Sequence, residues 1–295
     1  MRALLEQQHP DLAGLPLTEA ATGWDNALWR LGDDLAVRLP HRQEAVALIL
    51  QEQRWLPALA PRLPLPVPVP VRVGRPGAGY PWPWSVVPWF EGTPGDRAAL
   101  ADPAGAAGQL ARFLRALHTE APAGAPHNPY RDVLLAERGE RLEERLAGLG
   151  DEVDGAGVRR VFEWAATAPA RAGPRVWIHG DLHPANVVVR DGALAAVVDF
   201  GDLCAGDPAV DVAGAWLLLP PAVHPVFAAA YGVDPALARR ATGWLALLST
   251  LLLAIGLDGR PTYVAVGRAG LATALAVRPR AGGAPAPRGP PGCDR

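Results

Sequence analysis

The chain has 295 residues, enough to bury a sizeable core as one large domain or as two lobes. Hydrophobic residues make up 49% and charged residues 20%, the balance of a globular fold, and a net charge of −2 excludes the basic footprint of a nucleic-acid binder. All 28 basic residues are arginine, so any task that calls for a lysine must here fall to a guanidinium or be dropped.

Residues 1–10 carry Glu6 and His9 and no apolar signal core, so a cytoplasmic location is expected. Residues 24–31 and 35–39 read as strands on either side of Gly32-Asp33-Asp34, a hairpin turn. Residues 44–55 place Val46, Ile49 and Leu50 at helical spacing with charges between. Residues 57–70 alternate Pro with Leu or Val, which predicts an extended, polyproline-like connector and no helix. Further strands are expected at residues 71–73 and 84–90, around a Gly-rich turn at 74–79. Among their aromatics, Trp82, Trp84 and Trp89 read as strand packing rather than an aromatic cage. Glu91-Gly92-Thr93-Pro94-Gly95-Asp96 is rich in breakers and reads as a hinge.

Beyond the hinge the pattern turns helical, at residues 102–118, 133–149, 154–167 and 211–219, with two or more helices between 234 and 277. The apolar run 244–257 is interrupted by Ser249, Thr250 and Gly256 and is too short to span a bilayer, so a buried helix and no membrane are expected. Residues 281–295 are Pro/Gly-rich and expected to be disordered. One of the two cysteines, Cys293, lies in that tail, so no disulfide with Cys204 is expected.

The chemistry lies inside the helical half, in His179-Gly180-Asp181-Leu182-His183-Pro184-Ala185-Asn186 and Val198-Asp199-Phe200-Gly201-Asp202. Between them, residues 187–190 and 194–198 are β-rich runs joined by Asp191-Gly192, a strong two-residue hairpin signal. A regular hairpin sets Val189 opposite Leu194 and Asn186 opposite Val197. Asn186 enters the first strand and Asp199 leaves the second, so two oxygen ligands meet at the open end and can share Mg²⁺ with phosphate oxygens and water. Asp181 lies one short loop upstream, able to point at a substrate hydroxyl. Asp191 and Asp202 read as turn residues. His179 and His183 read as braces of the loop, and Asp207 and Asp211 as a cap and brace at the next helix.

The spacing Asp-x-x-x-x-Asn followed by Asp-Phe-Gly resembles the kinase catalytic loop, and the order of a strand-rich part, a hinge and a helical part resembles the α+β, two-lobed protein-kinase-like fold. The variants His-Gly-Asp-Leu-His-Pro-Ala-Asn, Val-Asp-Phe-Gly-Asp and Gly206-Asp207-Pro208-x-x-Asp211 resemble the aminoglycoside phosphotransferase family over roughly residues 15–280. That resemblance implies a nucleotide-binding lobe at 1–91, a catalytic and substrate-binding lobe at 92–280, and ATP or GTP as phosphate donor with Mg²⁺. It implies Asp181 as catalytic base and Asn186 and Asp199 as metal ligands. It also places Arg38 where the family usually has Lys, on the nucleotide phosphates, with Glu52 as its helix partner and Glu44 as the competing acid. The loop Thr22-Gly23-Trp24-Asp25-Asn26 stands at the phosphate-covering position with one glycine only.

Protein kinases carry Arg beside the catalytic Asp to read a phosphorylated activation loop; Gly180 stands there, and only a short stretch separates Gly201 from Pro208. A small hydroxylated molecule is therefore the expected substrate. A polycationic aminoglycoside calls for an acid-rich site. Yet residues 236–280 hold one acid, Asp258, against Arg239, Arg240, Arg260, Arg268, Arg278 and Arg280. The acids gather instead at Glu137, Glu140, Glu143, Glu144, Asp151, Glu152 and Asp154, interleaved with arginines as on a solvated helix. A macrolide or a sugar-like metabolite stays open as acceptor, and macrolide-phosphorylating relatives resemble this chain in having Arg at the Arg38 position. A non-catalytic kinase-like nucleotide-binding module is the reading from a different class; retention of Asp181, Asn186 and Asp199 speaks against it.

Overall fold

The computed structural model describes residues 1–277. The tail expected to be disordered, with Cys293, Arg278 and Arg280, lies outside the described residues. The chain opens with helix α1 (Arg2–Gln8), followed by β1 (Leu17–Thr22), β2 (Asn26–Leu31), β3 (Leu35–Pro40), helix α2 (Ala45–Leu59), β4 (Arg72–Gly74) and β5 (Trp84–Pro88). These strands form one antiparallel sheet in the order β1-β2-β3-β5-β4. Along β3 the side chains alternate, so Val37 and Leu39 join Leu31, Trp84 and Val86 in a small core covered by Leu4 and Leu5 of α1. Arg38 leaves β3 on the opposite face, toward α2. Of the three tryptophans near β5, Trp84 alone is fully buried in this core.

Two sequence expectations fail in this part. The 57–70 connector does not begin at Pro57: α2 continues through it to Leu59, because Leu56 and Leu59 are buried against the larger core and that burial outweighs the proline penalty. Nor is the 91–96 segment wholly loop, since Thr93–Pro94 forms strand β6 and pairs with Val188–Val189.

The helical part runs α3 (Pro103–Leu117), α4 (Gly139–Leu149), α5 (Gly155–Ala166), β7 (Val176–Ile178), β8 (Val187–Arg190), β9 (Ala193–Val197), β10 (Cys204–Gly206), α6 (Ala209–Leu218), α7 (His224–Tyr231), α8 (Pro235–Leu257) and α9 (Thr262–Ala276). Asp102, Asp154 and Asp234 cap α3, α5 and α8 by accepting backbone N–H groups three residues on. By length and composition α8 alone among the described helices could cross a membrane, but most of it is buried at the centre of the bundle. The two cores do not divide where the chain does: Leu56, Leu59, Leu65 and Val67, all before residue 91, belong to the helical core. Helix α7 and the short β7–β10 pair have too few residues to carry a period and escape sequence reading.

Candidate active site

The β8–β9 hairpin turns at Asp191 (φ 52°) and Gly192 (φ 76°), both left-handed as a type I′ turn requires. Val189 pairs with Leu194 as expected, but the register then slips: Val188 pairs with Ala196 and Val187 with Val197, leaving Ala195 as a bulge. Asn186 therefore stands opposite Val198, whose N–H donates to the Asn186 carbonyl at 2.9 Å, rather than opposite Val197. The extra residue brings Asn186 one step nearer to Asp199. Asp199 itself sits at φ 63°, a left-handed backbone that costs a non-glycine residue about 1 kcal/mol.

The loop before the hairpin is held from several sides. The buried Asp211 carboxylate accepts the N–H of His179 at 2.6 Å and of Gly180 at 2.9 Å, and His118 closes on it at 3.0 Å. Burial would raise this carboxyl, but His118 and the loop donors hold it below its usual range. His179 bridges to the Val198 carbonyl at 3.0 Å and accepts the Asp181 N–H at 3.2 Å, tying the loop to the hairpin's end. Gly180 has φ 83°, and any Cβ there would meet the Asp202 carbonyl oxygen at 2.5 Å, so steric space alone demands glycine. Asp207, just before α6, accepts the Ala209 N–H at 3.0 Å and pairs with Arg240 at 2.6 Å.

Asp181 projects from this braced loop. The Asn186 side-chain amide donates to the Asp181 carbonyl at 2.9 Å and to its carboxylate at 3.2 Å, which turns the Asn186 side-chain oxygen away from Asp181. His183 lies 3.6 Å from the same carboxylate and packs edge-on against Tyr263. Burial would raise the Asp181 carboxyl, but His183 and Arg131 hold it well below the usual carboxylate range. Asp202 is no plain turn residue: it is held by Asn128 at 2.5 Å, and burial with Asp181 and Asp199 nearby pushes its carboxyl up.

Across the cleft, Arg38 reaches Glu52, the helix partner expected for it, and also Asp199, which the sequence did not assign to it. Its Nη1 donates to the two Glu52 carboxylate oxygens at 2.8 and 2.6 Å, and Nη2 to Asp199 at 3.1 Å. Burial alone would favour a neutral guanidinium, but Glu52 and Asp199 hold it firmly charged. Burial likewise pushes the Glu52 carboxyl up, against the pull of Arg38. Glu44, the competing acid, is exposed at the start of α2. In the one-glycine loop, Trp24 is 61% exposed, with Arg42 of the same lobe and Arg260 of the helical lobe both over its ring.

Sequence reasoning missed Arg131. It comes from the loop between α3 and α4 and donates to the Asp181 carboxylate at 2.8 Å. That loop is built for the purpose: Asn128 and Asp132 are buried, and the N–H groups of Arg131 and Asp132 both bond the Asn128 carbonyl.

The donor set fits Mg²⁺. Asp199 keeps half of its side chain exposed, and Asn186, one residue away across the hairpin, has a side-chain oxygen that Asp181 does not use; both are hard oxygen ligands of the kind Mg²⁺ takes alongside phosphate and water. Among the described residues no three His, Cys, Asp or Glu side chains converge into a closed metal cage.

Known proteins share this fold. The model of the phosphotransferase enzyme family matches residues 16–247. Among solved structures, the GDP and kanamycin complex of APH(2")-IIia is 23% identical, covers 93% of this chain and 97% of its own, and superposes with a TM-score of 0.69. The macrolide 2'-phosphotransferase MphH from Brachybacterium faecium is 26% identical, with 94% and 98% covered and a TM-score of 0.60. The streptomycin–ATP–APH(2")-IIa ternary complex is 15% identical, with 85% and 89% covered and a TM-score of 0.59. No curated protein matches the chain.

Proposed function

This chain belongs to the phosphotransferase enzyme family, and we propose that it moves the γ-phosphate of ATP or GTP to a hydroxyl of a small molecule. The observation that carries this reading is the convergence of Asp181, Asn186 and Asp199 at one end of the bulged hairpin, with Arg38 3.1 Å from Asp199. Asp181 accepts a hydrogen bond from the acceptor hydroxyl and takes its proton as the oxygen attacks phosphorus. The bond from the γ-phosphorus to the bridging oxygen breaks, and the nucleoside diphosphate leaves with that electron pair. With its carboxyl held low, Asp181 is ionised throughout the working pH range and serves first to orient the hydroxyl.

Arg38 binds the α- and β-phosphates, fixed by Glu52 so that little reorganisation accompanies transfer. Asn186 and Asp199 would hold Mg²⁺, which would offset the negative charge of the nucleotide phosphates. The solved relatives cited above include complexes with GDP and with ATP, which supports a nucleoside triphosphate as donor.

The test is transfer of labelled γ-phosphate from ATP and from GTP, with Mg²⁺, to a panel of aminoglycosides, macrolides, sugars and hydroxy acids. The reading expects a labelled product with at least one acceptor, formed about a hundredfold or more slowly with Asp181→Asn. Nucleotide binding without transfer to any acceptor would favour the non-catalytic module.

A further inference from the structure

Helix α4 and the turn before it sort their charges by face. Glu143 and Glu144 point outward and are taken by the exposed arginines Arg159 and Arg141. Glu152, just after the helix, is taken by Arg268. The inward arginines are left without carboxylates. Arg138 is only 8% exposed, forms no ion pair or hydrogen bond among the described residues, and has its Nε buried without a partner. Its one contact of note is the Tyr130 ring, 5.7 Å from the guanidinium carbon. Two turns on, Arg145 donates only to the Leu247 carbonyl, at 3.1 Å.

Arg131 completes the group. Its Nη2 holds Asp181, but its Nε is also buried and unpartnered. These arginines are close enough to repel: burial, then Arg131, Arg138 and Arg141, pull Arg145 down to about 10, and burial with Arg131 and Arg141 lowers Arg138. Of these arginines Arg131 alone holds Asp181, and the acid that bears on Arg138 and Arg145, Glu144, is already paired to Arg141. An unpaired buried guanidinium is costly unless something answers it. Tyr130, whose ring lies against Arg138, and Leu134 are 54% and 59% exposed.

We propose that the acceptor carries an anionic group, a carboxylate or a phosphate monoester, and that Arg138 and Arg131 receive it beside Asp181. Both are planar forks suited to two-oxygen recognition of such groups. Because Arg131 also holds Asp181, an anion seated there brings a neighbouring hydroxyl of the same molecule to the base. A polycation would meet this cluster with like charge. Calling the ligand an acceptor rests on the phosphotransferase reading; the anion site itself does not.

The test is calorimetric titration of the full chain, saturated with ADP and Mg²⁺ to fill the nucleotide site, with sodium phosphate and separately with sodium acetate, sodium chloride keeping ionic strength constant. At least one anion should bind with a dissociation constant in the low millimolar range. Arg138→Gln should weaken it at least tenfold, while Arg141→Gln on the exposed face leaves it unchanged. Phosphate binding alone points to a phosphate monoester, and acetate binding to a carboxylate. Should Arg138→Gln fail to fold, Arg138→Lys keeps the charge without the fork and should weaken binding several-fold. Absence of binding by both anions, or parental affinity in the Arg138 variants, would overturn the proposal. The prior ADP–Mg²⁺ titration reports separately on the nucleotide site.

Discussion

Two buried arginines on opposite sides of the cleft are treated in opposite ways. Arg38, on the nucleotide side, is fully answered before any ligand arrives: Glu52 takes one end of its fork and Asp199 the other. Arg138, on the helical side, is as little exposed and has a tyrosine ring but no acid in hydrogen-bond contact. A paired cation is pre-organised for a ligand that is the same in every turnover, and its carboxylate partner keeps it still. An unpaired cation stores an electrostatic cost that a ligand can relieve.

The largest expected effect falls between the two arginines. Asp181→Asn should lower turnover by about a hundredfold or more with nucleotide affinity near that of the parent, measured by steady-state kinetics and ADP titration. Unchanged turnover would remove Asp181 from the base role. Next comes the nucleotide side. Asp199→Ala should abolish Mg²⁺-dependent nucleotide binding, and Asn186→Ala should weaken it about tenfold, read by titrations with and without Mg²⁺. Identical titrations in Asp199→Ala and parent would mean that the hairpin holds no metal. Arg38→Ala should raise the apparent nucleotide constant and lower turnover together, each by roughly tenfold, while Arg38→Lys restores much of both.

A smaller effect sharpens the comparison through pH. Asp181 is held below its ordinary value in part by Arg131. Since the folded value is depressed, the stability that this carboxylate contributes is present above about 3.8, its usual value, and is lost as pH falls through the depressed one. Arg131→Met should move the acidic limb of the turnover profile to higher pH and unfold the chain at a less acidic pH, with nucleotide affinity little changed. A profile superimposable on the parent's would mean that Arg131 does not set the state of the base.

How much of this was legible depends on sequence distance. The hairpin is local: Asp191-Gly192 fixes its turn, and two β-rich runs fix its strands, so Asn186 and Asp199 could be brought together from the chain alone. The bulge at Ala195 could not, because no residue there differs in type from its neighbours. Arg38 and Glu52 lie 14 residues apart on adjacent elements, within reach of strand and helix periodicity aided by the family pattern. Arg131 lies 50 residues from Asp181 in a loop without period, between Pro129 and a buried Asp132, and nothing local marks it. The sorting of α4 is a similar case. Its sequence mixes acids and arginines evenly, and only packing against α8 decides that the glutamates face water and Arg145 does not.

The contrast between the two arginines can be measured by thermal unfolding of the unliganded chain. Arg38→Met strands the buried Glu52 carboxylate, a loss of about 3–5 kcal/mol that should lower Tm by on the order of 10 °C. Arg138→Met replaces an unpaired buried cation by an apolar chain of similar reach, so Tm should hold or rise. Opposite signs are the predicted result. Two falls of similar size would show that Arg138 is as structural as Arg38, and that the helical side of the cleft holds no charge waiting for a ligand.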